Sequence, residues 1–316
     1  MRPAPRRLAA LALLAGLPAC AGGQASCPVP IAIDSTALMR DLYRLADDSL
    51  AGRLIGSPGN LKARDYLAAR FDAIGLGTLP FGRLQRVSVT PSPRLPGVTE
   101  GWNVIGTIPG TEQPERYLVV TAHYDHVGIG RPVDGDSIYN GSDDNASGAA
   151  ALAVLARHFQ QAPLRHTLVF AAVDGEERGM WGSRGLVDPA VVPVDRIDLN
   201  VNMDMISRNV AGELYAAGPG RYPALVPLVD ATARCAPVTL RRGHDTDAVG
   251  RADDWTTQSD HVVFHRLGIP FVYFGVEDHP DYHRPGDSPD RAMPGFYVGA
   301  VRTVADLIRR ADEFRR

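Results

Sequence analysis

The sequence has little net charge, a single lysine and few cysteines. Lys62 is the only lysine among 33 basic residues, which oppose 36 acidic residues to give a formal net charge of −3 at pH 7. This balance excludes a general electrostatic attraction to nucleic acid or to acidic membranes. We therefore expect no nucleic-acid partner.

The apolar run near the N-terminus, residues 8–17, is too short to cross a membrane, for which about 20 residues are needed. Arg2, Arg6 and Arg7 precede the run and small residues follow it, which is the order of an export signal rather than of a buried helix. We expect residues 1–26 to comprise this signal and the mature N-terminus. The protein would then be periplasmic, an outer-membrane lipoprotein, or secreted.

Two kinds of processing fit this signal. Residues 17–20, Leu-Pro-Ala-Cys, resemble a bacterial lipobox, in which cleavage precedes Cys20 and Cys20 carries a lipid anchor. Ordinary cleavage after a site ending at Ala21 is the competing interpretation. In either case Cys27 and Cys235 remain as a pair, which export would allow to form a disulfide. Two unrelated thiols are the alternative.

No repeat, low-complexity segment or marked change of composition divides the rest of the chain, and we expect residues 27–316 to form one domain. Helices are predicted over residues 35–45, 61–74, 149–159, 224–235, 259–267 and 293–314. Strands are predicted over residues 85–89, 103–108, 117–121, 167–173, 199–203, 214–217 and 269–274. Because the central strands are apolar throughout and helices separate them, the fold class is α/β, with a sheet covered on both faces in three α/β/α layers.

Polar side chains follow three of the predicted buried strands. His123, the pair Glu176-Glu177, and Asp204 each stand just past a strand's carboxyl end, the edge at which open α/β sheets bind ligands. Two further carboxylates, Asp143 and Asp144, precede the predicted helix at residues 149–159. They could simply cap that helix, or one of them could bridge metal ions.

Counting candidate ligands favours the metal interpretation. His123, Asp144, Glu177, Asp204 and His283 combine imidazole and carboxylate groups, which suit zinc. One catalytic zinc needs only three protein ligands, whereas five ligands with one bridge give two ions three ligands each. Two divalent ions and three carboxylates leave a charge of +1, which favours a bound hydroxide, the nucleophile of a hydrolase.

Two further carboxylates have predicted roles beside the ligands. Glu176, adjacent to Glu177, is placed to act as a general base and then as the acid that protonates a leaving amine. Asp125 lies two residues from His123, so the two share a face of an extended backbone, and Asp125 can accept the second imidazole N–H. Five other histidines are not expected to be ligands and should lie in the core, on the surface or outside the coordination sphere. They are His126, His158, His166, His261 and His265.

Six motifs resemble those of the co-catalytic di-zinc aminopeptidases, bacterial secreted enzymes related to glutamate carboxypeptidase II and to glutaminyl cyclases. In family order they are TAHYD at 121–125, GSDDNASG at 141–148, DGEE at 174–177 with glycines at 179 and 182, NMD at 202–204, SDH at 259–261 and YH at 282–283. LAGR at 50–53 and NVIG at 103–106 are also similar. The resemblance runs from about residue 45 to the last helix and implies a mixed, mostly parallel sheet.

The resemblance implies a role for each matched residue. His123 and Asp204 would hold one zinc, Glu177 and His283 the other, and Asp144 would bridge the two Zn²⁺ ions. Glu176 would be the base, Asp125 would orient His123, and Asp260 would support the site from outside the coordination sphere. Tyr282 would either stabilise the oxyanion or form an aromatic wall of the pocket.

The sequence lacks an inserted domain that covers the active site in several relatives. Several relatives insert a protease-associated domain before the NVIG strand, but residues 87–102 are too few to form one. We therefore expect an open active site whose walls come from residues 128–139 and 241–257.

These observations predict an exported zinc aminopeptidase that acts on peptides with a free N-terminus. A single-zinc glutaminyl cyclase, a carboxypeptidase and another amidohydrolase are alternatives on the same scaffold. An inactive, receptor-like interaction domain is a non-enzymatic alternative, although such a domain should have lost ligands and all five are present. The preferred N-terminal residue, the native metal and the oligomeric state stay open.

Overall fold

The computed structural model describes residues 1, 27, 29–188, 191–248, 250 and 253–313. The predicted export signal, the lipidation candidate Cys20 and the candidate cleavage sites lie outside the described residues. Within those residues, none of the helices combines the length and the apolar character that crossing a bilayer requires.

The described strands form an eight-stranded sheet and a separate two-stranded hairpin. They are β1 (Leu84–Ser88), β2 (Glu100–Ile108), β3 (Gln113–His123), β4 (Gly128–Val133), β5 (Asp136–Tyr139), β6 (His166–Val173), β7 (Ile197–Met203), β8 (Glu213–Ala217), β9 (Thr239–Arg242) and β10 (Phe271–Gly275). The large sheet has the order β1-β2-β6-β3-β7-β10-β8-β9, and β4 pairs with β5.

The four central strands of the large sheet are parallel and the sheet as a whole is mixed. β3 runs parallel to both β6 and β7, and β10 runs parallel to β7. The pairs β1–β2, β2–β6 and β8–β10 are antiparallel, whereas β8–β9 is parallel. Every residue of β6 and β10 is buried, as expected for parallel strands covered on both faces.

Helices cover both faces of the sheet, which confirms the predicted α/β/α fold class. They are α1 (Ser35–Leu45), α2 (Pro58–Ile74), α3 (Gly148–Gln161), α4 (Trp181–Leu186), α5 (Val226–Ala233), α6 (His261–Arg266) and α7 (Pro294–Ala311). The larger apolar core lies between the sheet and α1, α2, α3, α5 and α7. A smaller core on the other face includes Leu186 of α4 and Phe264 of α6.

Helix α3 lies close to the sheet because its first residues are small. A Cβ added to Gly148 would lie only 2.5 Å from Asn145 Oδ1 and 2.7 Å from the Met203 carbonyl oxygen. The alanines that follow are fully buried. This close packing places the start of α3, and the turn before it, directly beside the carboxyl ends of β3 and β7.

Several element boundaries differ from those predicted. Helix α2 begins at Pro58 rather than at residue 61, because the Ser57 hydroxyl accepts the Asn60 N–H at 3.2 Å and proline is tolerated in the first turn. Helix α7 ends at Ala311. Of the two segments expected to form the walls of the site, residues 241–257 include the end of β9 and a short 3₁₀ turn at Trp255–Thr257, and residues 128–139 form the β4–β5 hairpin.

A disulfide joins Cys27 to Cys235, which decides between the two alternatives that the sequence left open. Cys235 lies just after α5, so the bond ties the segment that precedes α1 to the helical layer formed by α5 and α7.

Candidate metal centre

Three parallel strands deliver four of the predicted site residues to one edge of the sheet. His123 is the last residue of β3, Asp204 directly follows β7, and Glu176 and Glu177 follow β6 after a two-residue turn. Because β6, β3 and β7 are parallel neighbours, their carboxyl ends meet at the same edge, where α/β sheets bind ligands.

Asp144 lies between the other candidate ligands. It stands in a wide turn, Ser142–Ser147, that leads from the hairpin into α3, and the peptide bond that follows it is cis. Its Oδ1 is 3.4 Å from His123 Nε2, and its Oδ2 is 3.0 Å from His283 Nε2. Each carboxylate oxygen therefore faces a different histidine, which is the arrangement that a bridging carboxylate requires.

The ligand atoms form two groups that share Asp144. One group is His123, Asp144 and Asp204, with His123 Nε2 at 3.3 Å from Asp204 Oδ1. The other contains Asp144, Glu177 and His283, with His283 Nε2 at 3.3 Å from Glu177 Oε1. The structure thus brings all five predicted ligands together.

The second group also contains a residue that the sequence analysis placed outside the ligand set. His126 Nδ1 is 2.7 Å from Glu177 Oε1 and 3.6 Å from Asp144 Oδ2, and the imidazole is fully buried. The available signal was a second histidine three residues after His123, beyond the end of the same strand.

The two groups fit divalent cations. Zinc bonds of about 2.0–2.2 Å in tetrahedral geometry place ligand atoms roughly 3.3 Å apart, close to the separations found in both groups. In addition, His126 Nδ1, Glu177 Oε1 and Asp204 Oδ1 are buried and lack a hydrogen-bond partner among the described residues. Buried polar atoms without partners are costly unless a ligand satisfies them.

Glu176 is half-buried beside these groups and lines the same pocket. Its burial raises the pKa of the carboxyl well above the usual value; the charge of His123 opposes this rise, and those of Asp260 and Asp204 add to it. A carboxyl group at this position can accept a proton and later return it. Asp260 is itself fully buried, which raises its pKa to about 6.

Asp125 contacts the site differently from the prediction. The closest partner of His123 Nδ1 is the Asp125 backbone carbonyl at 3.2 Å, while the carboxylate Oδ1 is 3.7 Å away. That carboxylate oxygen instead accepts the backbone N–H of Glu176 at 3.0 Å. Asp125 therefore orients the imidazole with its main chain and the Glu176 loop with its side chain, because its position past the strand end turns the carboxylate toward that loop.

The sequence matches the model of Peptidase family M28 over residues 103–308, which is more than half of the chain. The chain belongs to Peptidase family M28. This confirms the resemblance drawn from the six motifs.

The M28 chain is similar to a probable zinc metalloprotease of Leptosphaeria maculans, with 27% identity over 278 residues, 79% of this chain and 62% of that protein. The chain therefore spans less than two thirds of that relative's length. Its fold is similar to that of BSAP, a zinc aminopeptidase from Bacillus subtilis, with a TM-score of 0.69, 17% identity, and coverage of 89% of this chain and 95% of that one. A glutaminyl cyclase from Bacteroides thetaiotaomicron has a TM-score of 0.69 at 18% identity, over 89% of this chain and 99% of that one.

The pocket of this M28 chain is lined mostly by polar groups, with a few apolar and aromatic side chains beside the carboxylates. Tyr282 stacks on the His283 ring, with centroids 4.0 Å apart, and its burial raises the pKa of the phenol. Met205, Trp255 and Val276 also line the pocket. Trp255 comes from the segment predicted as a wall, whereas the hairpin at residues 128–139 contributes no residue to the lining and lies against the 3₁₀ turn Asp48–Arg53 instead.

Arg53 supports the M28 site from behind. Its buried guanidinium donates to the carbonyl oxygens of Tyr124 at 2.8 Å, Asn140 at 2.6 Å and Gly141 at 2.8 Å. Burial lowers the pKa of Arg53 to about 10, and the charges of nearby carboxylates, Asp144 first among them, oppose that shift. One cation thus holds both the end of β3 and the start of the Asp144 turn.

Asp287 fixes the Asp144 turn from the other side. Its carboxylate accepts the backbone N–H groups of Asp143 at 2.9 Å and of Asp144 at 3.0 Å, and its carbonyl accepts that of Ser142 at 3.0 Å. Because Asp287 follows His283 by four residues, one segment both supplies a candidate ligand and positions the shared carboxylate.

Proposed function

We propose that this M28 chain is a di-zinc aminopeptidase, which hydrolyses the first peptide bond of peptides with a free N-terminus. The observation that carries the proposal is the Asp144 carboxylate, whose two oxygens face two separate groups of ligand atoms. In this account His123 and Asp204 hold one ion with Asp144, and Glu177 and His283 hold the other. When bound, the two ions supply Lewis-acid activation of the scissile carbonyl and of water.

Glu176 is the general base in this account. It takes a proton from the attacking water and returns it to the leaving amine, and it lines the same pocket as the ligand groups. Asp125 holds the Glu176 backbone in place through the N–H bond described above. Tyr282 lies beside His283, where its hydroxyl can donate to the developing oxyanion.

We further propose that the pocket prefers an apolar first residue in the substrate. Met205, Trp255, Val276 and Tyr282 close the space beside the ligand groups, and these side chains favour an apolar first residue. The zinc aminopeptidase with a similar fold supports the same reaction. We also propose that residues 27–316 form a single domain without an inserted lid.

We also propose that the protein is exported. The basic, apolar and small-residue order of residues 1–26 supports a signal, and the Cys27–Cys235 disulfide is typical of an oxidising compartment. Lipidation at Cys20 and ordinary cleavage are the two routes that the sequence offers.

Glu176→Gln tests the proposed chemistry. Loss of the base should lower kcat by about 10²–10⁴-fold on aminoacyl chromogenic substrates, while metal content stays that of the wild type because Glu176 is in neither ligand group. N-blocked substrates and chelator-treated enzyme serve as controls. Near-wild-type turnover by the variant would show that Glu176 is not the base.

The glutaminyl cyclase of similar fold identifies the second candidate function. One metal ion per chain, with release of ammonia from an N-terminal glutamine and no hydrolysis of aminoacyl substrates, would favour that function. The two separate ligand groups favour hydrolysis.

A further inference from the structure

His126 lies within ligand distance of two candidate metal ligands, Glu177 and Asp144. Its Nδ1 is 2.7 Å from Glu177 Oε1, although neither atom has a hydrogen-bond partner among the described residues and both are buried. The short distance therefore does not correspond to a well-directed hydrogen bond. A cation between the two atoms would satisfy both, and because 2.7 Å is shorter than the roughly 3.3 Å between two ligand atoms of tetrahedral zinc, binding would move the two side chains slightly apart.

The ring of His126 has the orientation of a ligand. Its centroid is 5.5 Å from that of His283, and the two planes are inclined by 67°. Two imidazoles that bind one tetrahedral zinc at about 2.0–2.1 Å have centroids roughly 5 Å apart. The 3.6 Å from His126 Nδ1 to Asp144 Oδ2 also fits a shared ion.

We infer that His126 is a fourth protein ligand of the ion held by Asp144, Glu177 and His283, so that the two metal positions are unequal. This inference rests on the proposed function, because it assigns the ligands of the same centre. With four protein ligands, the His126 position should hold its ion more tightly than the other position. The position formed by His123, Asp144 and Asp204 keeps a coordination place open for water or substrate.

The inequality has a consequence for metal binding. The four-ligand position should fill first and release its ion last, and the three-ligand position should lose its ion first to a chelator. His126→Gln keeps a polar side chain of similar length but removes the imidazole, and it should equalise the two positions.

X-ray absorption at the zinc edge tests the assignment directly. Loaded with one equivalent of zinc, the wild type should show two imidazoles bound to the ion, from His126 and His283. His126→Gln should show one, and its affinity for the first equivalent should fall by more than the 10–100-fold typical for loss of a residue outside the coordination sphere. His158→Gln, in α3 and away from the site, should match the wild type in both measurements.

Two outcomes would overturn the inference: one imidazole on the first zinc in the wild type, or an unchanged imidazole count in His126→Gln. Binding of only one ion per chain would overturn the di-zinc function instead, and the imidazole count of that single ion would still decide the role of His126. If His126→Gln fails to fold, the count in the wild type decides alone.

Discussion

The carboxylate of Asp144 depends on main-chain atoms that other side chains hold in place. Arg53 is central among these. It is fully buried and donates to the carbonyl of Tyr124, just after β3, and to those of Asn140 and Gly141, just before the Asp144 turn. A buried cation of this kind also balances the charge of the surrounding carboxylates when the site is empty.

We predict that Arg53→Met destabilises the metal-free protein by about 3–5 kcal/mol, because it leaves buried carbonyls without donors and buried carboxylates without a counter-charge. Denaturant unfolding measures the change. Arg44→Met, at an exposed position near the end of α1, is the matched control and should change stability by less than about 0.5 kcal/mol. A loss at Arg53 no larger than the control's would contradict this account.

Individual candidate ligands were predictable where strand ends and motifs coincide. His123, Glu177 and Asp204 could be selected because each follows the end of an apolar run that indicates a buried strand. The position of His126 beside the candidate ligands was missed because it depends on which way the ring turns past the end of β3, and spacing does not encode that. For the same reason the sequence assigned the Asp125 carboxylate to His123, whereas it accepts the Glu176 N–H.

The segments that carry the ligands are coupled to one another. The loop after β10 supplies His283 and, through Asp287, the acceptor for two N–H groups of the turn Ser142–Ser147. Movement of either segment would therefore disturb both ligand groups.

We predict that Asp287→Asn weakens metal binding by about 10–100-fold, because an amide cannot accept both N–H groups as well as a carboxylate and the turn loses its fixed position. Chelator competition measures the affinity. Asp290→Asn, an exposed substitution in the same loop, is the control and should leave the affinity unchanged. Equal affinities for Asp287→Asn and the wild type would show that the turn is rigid without this contact.

Helix α6 carries a histidine whose protonation should oppose folding. His261 is fully buried, lies 2.8 Å from the Trp255 carbonyl oxygen through Nε2, and has a pKa lowered by burial to about 4. The unfolded state, with a pKa near 6.5, binds a proton more readily, so stability contributed by the neutral ring falls as the pH drops from about 6.5 to about 4.

We predict that this histidine accounts for about 3 kcal/mol of acid destabilisation between those limits. The measurement is denaturant unfolding of metal-free wild type and His261→Gln at pH 7.5 and at pH 4.5. The variant should lose less stability than the wild type on acidification. Equal losses in the two proteins would mean that His261 is protonated in the folded state as well.

Among the elements, the apolar strands and helices were predicted and the exposed ones were not. β6 and β10 are buried along their whole length, so their composition alone indicates them. The β4–β5 hairpin is largely exposed and glycine-rich, and β9 is a short edge strand. Their pairing depends on neighbours distant in sequence, which a local pattern does not contain.

The fold class followed from the alternation of buried strands and helices, and the motif order supplied the family. Sequence could propose the Cys27–Cys235 pair by elimination but could not measure the distance between the two residues. The disulfide closes most of the chain into one loop, with a sequence separation of 208.

We predict that the double variant Cys27→Ser/Cys235→Ser is less stable by about 2–4 kcal/mol, since a cross-link over a long loop restricts the unfolded chain. Wild type unfolded in reductant should match the variant, and the variant itself should be insensitive to reductant. A variant as stable as the oxidised wild type would show that the bond fixes only the segment before α1.

The most direct test of the central claim is an anomalous difference map recorded at the zinc absorption edge from crystals of the zinc-loaded protein. The account predicts two peaks about 3.5–4 Å apart, one beside each oxygen of Asp144, with His123 and Asp204 around one and Glu177 and His283 around the other. A single peak, or two peaks that do not flank Asp144, would contradict it.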